Sequence, residues 1–241
     1  MKVLAIDTSN QPLLVALAED GKIVASFQTN KPKNHSIDLL PAVQSLLKEK
    51  KWSLSEIDQI AVAKGPGSFT GLRIGLTVAK VLADTLKKPL FAISSLQSLA
   101  RQVQLQDDRQ AIVLALFDAR NENVFAGAYL ADKVVLEDGH YPVEEVLSLI
   151  AQMNEPVMVV GDGQHFEDDI KETLGRQPLT ILSAEEALPT GTGLVDLMKG
   201  TKPVEDVANL TPAYLRKTQA ELNWEKAQQG KPLDKPYVFE V

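Results

Sequence analysis

The chain has 241 residues, 44% hydrophobic and 24% charged, a composition that suits one or two globular domains and argues against disorder. Its 25 Lys+Arg against 32 Asp+Glu give a net charge of −7, so the molecule as a whole does not draw nucleic acid to itself, although a local basic patch is compatible with that balance. There is no cysteine, which excludes disulfides, thiolate metal sites and a cysteine nucleophile.

Residues 2–7, KVLAID, form a compact apolar run expected as a β-strand. This run is broken by Asp7 and is too short for a secretory h-region. No apolar run approaches the ~20 residues of a membrane helix, so a soluble, cytoplasmic protein is expected. SNQP (9–12) carries turn chemistry, 13–20 a second strand, Asp20-Gly21 a hairpin turn and 22–29 a third strand. Residues 35–50 change to helical period, with Ile37, Leu40, Gln44 and Leu47 on one face and Leu39, Val43 and Leu46 beside it. Pro41 must lie near the first turns of that helix or kink it. A strand over 57–65, a helix over 70–86 and a strand over 89–94 complete the order βββ-α-β-α-β. The second half repeats it. Strands are expected over 111–118, 123–130 and 132–138, a helix over 143–153 and a strand over 156–163. A helix over 165–175 with Gly175 as its stop, a strand over 179–182 and a helix over 190–199 follow. One order of elements used twice points to an ancient duplication. The polar stretch 101–110, RQVQLQDDRQ, is the best candidate hinge between two domains. The Pro- and Gly-containing end is expected to be a loosely held tail.

The segment KGPGSFTGLRIG (64–75) holds Gly65, Gly67, Gly71 and Gly75 beside a helical run. One reading is a phosphate cradle at a helix N-terminus, with Ser68 and Thr70 as ligands or caps and Arg73 as counter-charge. The spacing fits neither the Walker order nor Gly-x-Gly-x-x-Gly. The other reading is packing. Gly71, Gly75, Ala79 and Ala83 make one smooth stripe along the helix, against which another helix can lie close. Two glycines inside a helix each cost about 1 kcal/mol against alanine, and a close contact offsets that. The rest of the helix is apolar nearly all round, so it is buried on more than one side. The stripe packs either against a partner or within the same chain.

Asp7 and Asp118 each end the first strand of a half. Paired acids at strand ends suit a magnesium nucleotide, and each also suits capping a turn. Capping is favoured for Asp118, while Asp7, followed by Thr8 and Ser9, stays open to both. The glycines of VVGDGQ (159–164) follow a strand, where a base could lie or a plain strand-to-helix turn could form. His35, His140 and His165 are far apart and form no zinc motif. His35 reads as a helix-start residue and the other two as surface groups. No Gly-x-Ser-x-Gly elbow supports a serine hydrolase.

Taken together, AIDTS near the start, KGPGSFTGLRIG, FDAR, GDG and TPAYLR (211–216) closely resemble the TsaB (YeaZ) family of bacterial tRNA threonylcarbamoyladenosine biosynthesis proteins, over nearly the whole chain. The resemblance implies an α/β, actin-like ATPase (ASKHA) fold of two duplicated βββαβαβα-type domains, over 1–100 and 101–222, with a tail over 223–241. It implies a non-catalytic scaffold and activator of the TsaD-containing complex, which forms N6-threonylcarbamoyladenosine in tRNAs reading codons beginning with A. TsaD holds a metal with His-x-x-x-His, a pair this chain lacks, so neither catalytic residues nor a metal are expected here. A TsaD-like catalytic paralogue and a TsaE-like ATPase are the implied partners, with a homodimer when the chain is alone. tRNA is met only through the complex, and there is no membrane role. Gly71, Gly75, Ala79 and Ala83, with Ser36 and Leu40 on the preceding helix, are the expected partner interface. No cofactor is required, although ATP or ADP could sit at that interface, and Asp7, Ser9, Gly67 and Ser68 are the weaker cofactor-binding candidates. The rival reading is an autonomous ATP-binding enzyme of the sugar-kinase/actin type. The glycoprotease label attached to some family names finds no peptidase chemistry in these residues.

Overall fold

The computed structural model describes residues 1–29, 34–107 and 109–216. Five strands build a first sheet: β1 (Lys2–Asp7), β2 (Leu13–Glu19), β3 (Lys22–Thr29), β4 (Gln59–Gly65) and β5 (Leu90–Ser94). Their order is β3-β2-β1-β4-β5, antiparallel on the β3 side of β1 and parallel on the β5 side. Helix α1 (His35–Lys50) links β3 to β4, α2 (Phe69–Leu86) links β4 to β5, and α3 (Ser95–Gln106) follows β5 directly. The second half builds the same sheet from β6 (Ile112–Arg120), β7 (Asn123–Leu130), β8 (Lys133–Pro142), β9 (Val157–Gly161) and β10 (Leu179–Ile181). Its order, β10-β9-β6-β7-β8, matches the first strand for strand. Helices α4 (Val143–Ala151), α5 (Glu167–Leu174) and α6 (Thr192–Leu197) complete it. The duplicated architecture expected from the sequence is the architecture observed.

Both faces of each sheet are covered, which is why the central strands read as unbroken apolar runs. On the outer face of the first sheet, Leu4, Ile6, Leu13, Val15 and Leu17 pack against α1 and α2. On the inner face, Val3, Ala5, Leu14, Ala16 and Ala18 pack against Leu194, Val195 and Met198, from α6 and the turn after it. In the second sheet, Leu114 and Leu116 meet α4 and α5. Val113, Ala115 and Phe117 meet Leu96, Leu99, Ala100 and Val103 of α3.

The inner helices are therefore exchanged. α3, the end of the first half in sequence, covers the second sheet, and α6, the end of the second half, covers the first. This corrects two expectations. Residues 101–106 are not a hinge but the last turns of α3. There Gln102 is buried, its amide donating to Leu188 O and accepting from Thr190 N and Thr190 Oγ1. Arg101 pairs with Asp196 of α6 at 2.7 Å. Nor does the second domain keep everything after 101, because residues beyond 192 return to the first sheet. Val204 N donates to Leu90 O, Ala213 N to Lys64 O, and Lys80 Nζ to Ala208 O and Leu210 O. Val204, Val207 and Leu210 pack on the α1–α2 core. The expected tail, 223–241, lies outside the described residues. Among the described residues no helix is long and apolar enough to cross a membrane.

Candidate functional site: the glycine segment and the interdomain cleft

The glycine segment turns from β4 into α2 beneath the β1–β2 turn. Gly67 has φ +154°, and a Cβ there would strike the Ser9 carbonyl. A Cβ on Gly71 would strike the Thr8 carbonyl, and one on Gly75 would strike Thr8 Oγ1. The backbone contact is made by hydrogen bonds: Ser68 N donates to Ser9 O at 2.6 Å, and Thr8 Oγ1 donates to Gly71 O at 2.7 Å. Side chains are missing here because α2 is pressed onto its own sheet.

The small-residue stripe therefore faces inward. Ala79 and Ala83 are 0% and 2% exposed and belong to the core under α1. Gly71, Gly75, Ala79 and Ala83 are covered by this chain, and their expected place at a partner interface is corrected on that ground. The outer face of the helix pair carries other residues. Ser36 and Leu40 are exposed, together with Ile37 on α1 and Arg73, Thr77 and Val81 on α2. Ile37 at 68% and Val81 at 59% are the most exposed large aliphatic side chains on the two helices.

Of the cofactor candidates, Asp7 is buried at the end of β1, where its Oδ1 accepts from Ser9 N at 2.8 Å. Burial pushes its carboxyl above the usual range, against the neighbouring Ser9 and His35, which favour the anion. Ser9 Oγ is buried without a hydrogen-bond partner among the described residues. Both line a cavity of about 160 Å³ with Asn10, Ser95, Asp162 and His165. Asn10 Nδ2 reaches Asp162 across the cleft, and Asp162 Oδ2 also accepts from Asp118 N at 2.9 Å.

Gly67 and Ser68 line a different cavity, of about 560 Å³, on the far side of Asn10. The four cofactor candidates are thus divided between two spaces. A phosphate cradle would use the N–H groups at the start of α2, but Ser68 N points to Ser9 O, Gly71 N to Ser68 Oγ and Leu72 N to Ser68 O. Asp118 caps its own turn, accepting from Arg120 N at 2.7 Å, as favoured from the sequence. Among the described residues no group of three or more histidine or carboxylate side chains is placed to hold a metal ion.

In and around the larger cavity lie contacts that the sequence did not reveal. The Phe69 and Tyr214 rings stack at 4.7 Å. Arg73 lies over Phe69 at 4.1 Å and donates through Nε to Tyr214 OH at 2.8 Å. Arg216 Nη1 donates to Ala119 O, tying the returning segment to the β6–β7 turn. That turn places Arg120, Asn121 and Glu122 all in the left-handed region, at φ 67°, 53° and 59°. His140, expected as a surface group, instead packs its ring 5.5 Å from Phe125, with Nε2 buried and without a hydrogen-bond partner among the described residues. Burial, and then the charge of Arg216, hold its imidazole below the usual histidine value.

Comparison with known proteins now bears on these sites. Residues 22–167 match the family described as "TsaD: tRNA N6-adenosine threonylcarbamoyltransferase". The "tRNA threonylcarbamoyladenosine biosynthesis protein TsaB" of Bacillus subtilis is 37% identical over 234 residues, 95% of this chain and 100% of that protein. The chain belongs to the TsaB family. A solved Pseudomonas aeruginosa structure, described as an uncharacterized protein with similarity to peptidase YEAZ, superposes with a TM-score of 0.76 at 30% identity, over 89% of this chain and 99% of that one. A ROK hexokinase from Thermus thermophilus, with a TM-score of 0.51 at 13% identity over 83% of this chain and 98% of that one, shares the fold alone. The actin-like architecture expected for a TsaB family member is present in full, with its two matching sheets and the cleft between them.

Proposed function

We propose that this chain is a non-catalytic subunit in the formation of threonylcarbamoyladenosine in tRNA, binding and activating a TsaD-like catalytic paralogue. The observation that carries this reading is the outer face of α1 and α2, where Ile37 and Leu40 on one helix and Val81 on the other stand exposed. Burying such side chains in a helix–helix contact contributes about 1.5–3 kcal/mol each. The docking surface is thus moved from the inward stripe to the opposite side of the same helix. When the paralogue is absent, two copies of this chain pair through that face. A TsaE-like ATPase joins the assembly, tRNA is reached through it, and the chain works in the cytoplasm. No cofactor of its own is required, and ATP or ADP is accommodated at the shared interface.

The test is the native mass of the full chain, alone and mixed with the paralogue, for the parent and for Leu40→Glu. Leu40 is exposed, so the variant is expected to fold normally and to lose both the homodimer and the mixed complex. Complex formation at parental affinity by a folded Leu40→Glu chain would remove this face from the mechanism. Calorimetry of the chain alone with Mg-ATP tests the rival enzyme reading, which requires tight binding and turnover.

A further inference from the structure

We infer that the 560 Å³ cavity between the start of α2, the β6–β7 turn and residues 214–216 is an RNA contact site that takes an unstacked nucleotide, its base against the Phe69–Tyr214 stack and its phosphate between Arg120 and Arg216. This rests on the tRNA role proposed above and adds a ligand to it. Single-stranded nucleic acid is held by aromatic faces and arginine together, because every base has a π-face and every linkage a charge. The cavity supplies both. Phe125 joins the stacked pair in its wall, and Ser68 contributes a hydroxyl. The guanidinium of Arg120 has no hydrogen bond or ion pair among the described residues. Arg216 is held in place by the Ala119 carbonyl, which fixes its position without neutralising it. Among the described residues the one carboxylate in the lining, Asp118, is turned to the Arg120 backbone N–H. A chain of net charge −7 thus gathers arginine, including Arg73 behind the stack, at one cleft.

The experiment measures binding of a labelled anticodon stem-loop RNA to the full chain and to its complex with the paralogue, across a salt series. Parent, Arg120→Gln and Tyr214→Leu are compared, with native mass as the control for assembly. Arg120→Gln should lower the magnitude of the slope of log K against log salt by about 0.7, the effect of one phosphate contact on a single strand. Tyr214→Leu should weaken binding by about fivefold or more, the loss of one stacked base. Unchanged affinity and slope in both variants, in an intact complex, would overturn the inference. If no complex forms, the subunit role fails by itself, and the chain alone decides the RNA question: Arg120-dependent binding supports the site, and no binding overturns it. AMP that binds with the same dependence on Arg120 while the RNA does not would assign the cavity to a free nucleotide and also overturn it.

Discussion

Gly75→Ala separates an inward stripe from an outward one. The added Cβ would fall well inside 3.0 Å of Thr8 Oγ1, and Thr8 is fully buried with that hydroxyl bonded to Gly71 O. Overpacking costs about 1–3 kcal/mol, and loss of the hydroxyl's bond costs about 1 kcal/mol more. Better helix propensity returns about 1 kcal/mol. The net loss is about 1–3 kcal/mol, or roughly 2–12 °C in Tm for a chain of this size. Thermal or urea unfolding of the chain alone reads it directly. Thr8→Ala provides the decisive background, because it removes the offending oxygen and leaves Thr8 Cβ 3.4 Å from the new methyl. In that background Gly75→Ala should become stabilising by about 1 kcal/mol, a reversal of sign that a double-mutant cycle detects. A single variant as stable as the parent, or additive effects across the cycle, would refute the packing of α2 on the β1–β2 turn. Gly71→Ala, which meets the Thr8 backbone carbonyl rather than a side chain, should be worse and should not be rescued by Thr8→Ala.

Other outcomes follow from the same coordinates. Asp7 has its folded pKa raised by burial, so the native state binds its proton more tightly than the unfolded chain. Stability therefore falls as pH rises from the ordinary carboxylate value through the raised one. Asp7→Asn keeps an acceptor for Ser9 N and should be more stable than the parent at neutral pH, with an advantage that shrinks on acidification; a variant less stable at pH 7 would contradict this. Gln102→Ala removes one donor and one acceptor that together serve Leu188 and Thr190, and should cost about 2–4 kcal/mol in urea unfolding. A loss under about 1 kcal/mol would mean that this contact does not hold the 188–190 segment.

The succession of elements and most of their bounds were legible because β1, β2, β6 and β9 are buried on both faces and read as unbroken apolar runs. α3 was not. Its second half, with Arg101, Gln102 and Gln104, looks like a linker, and only the contacts of Gln102 and Arg101 with distant segments show why polar side chains sit in a packed helix. The direction of the small-residue stripe was equally hidden. Periodicity gives a face but not what lies opposite it, and α2 is apolar on several sides. In the cleft, Asp7 stood out as a strand-end acid. Asp162 and Arg216 did not, since each acquires its role from a partner over 90 residues away in sequence, namely Asn10 and Ala119.

The exchanged inner helices bind the two repeats into one object. Each repeat carries the lid for the other's sheet, so a cut near residue 107 would give two fragments with a naked sheet face apiece, α3 stranded on one and α6 on the other. A single repeat standing alone would have to close that face with its own last helix or with a second copy of itself; here the chain's other half does it, as a permanent clasp. The price of that clasp is that neither repeat can be shed.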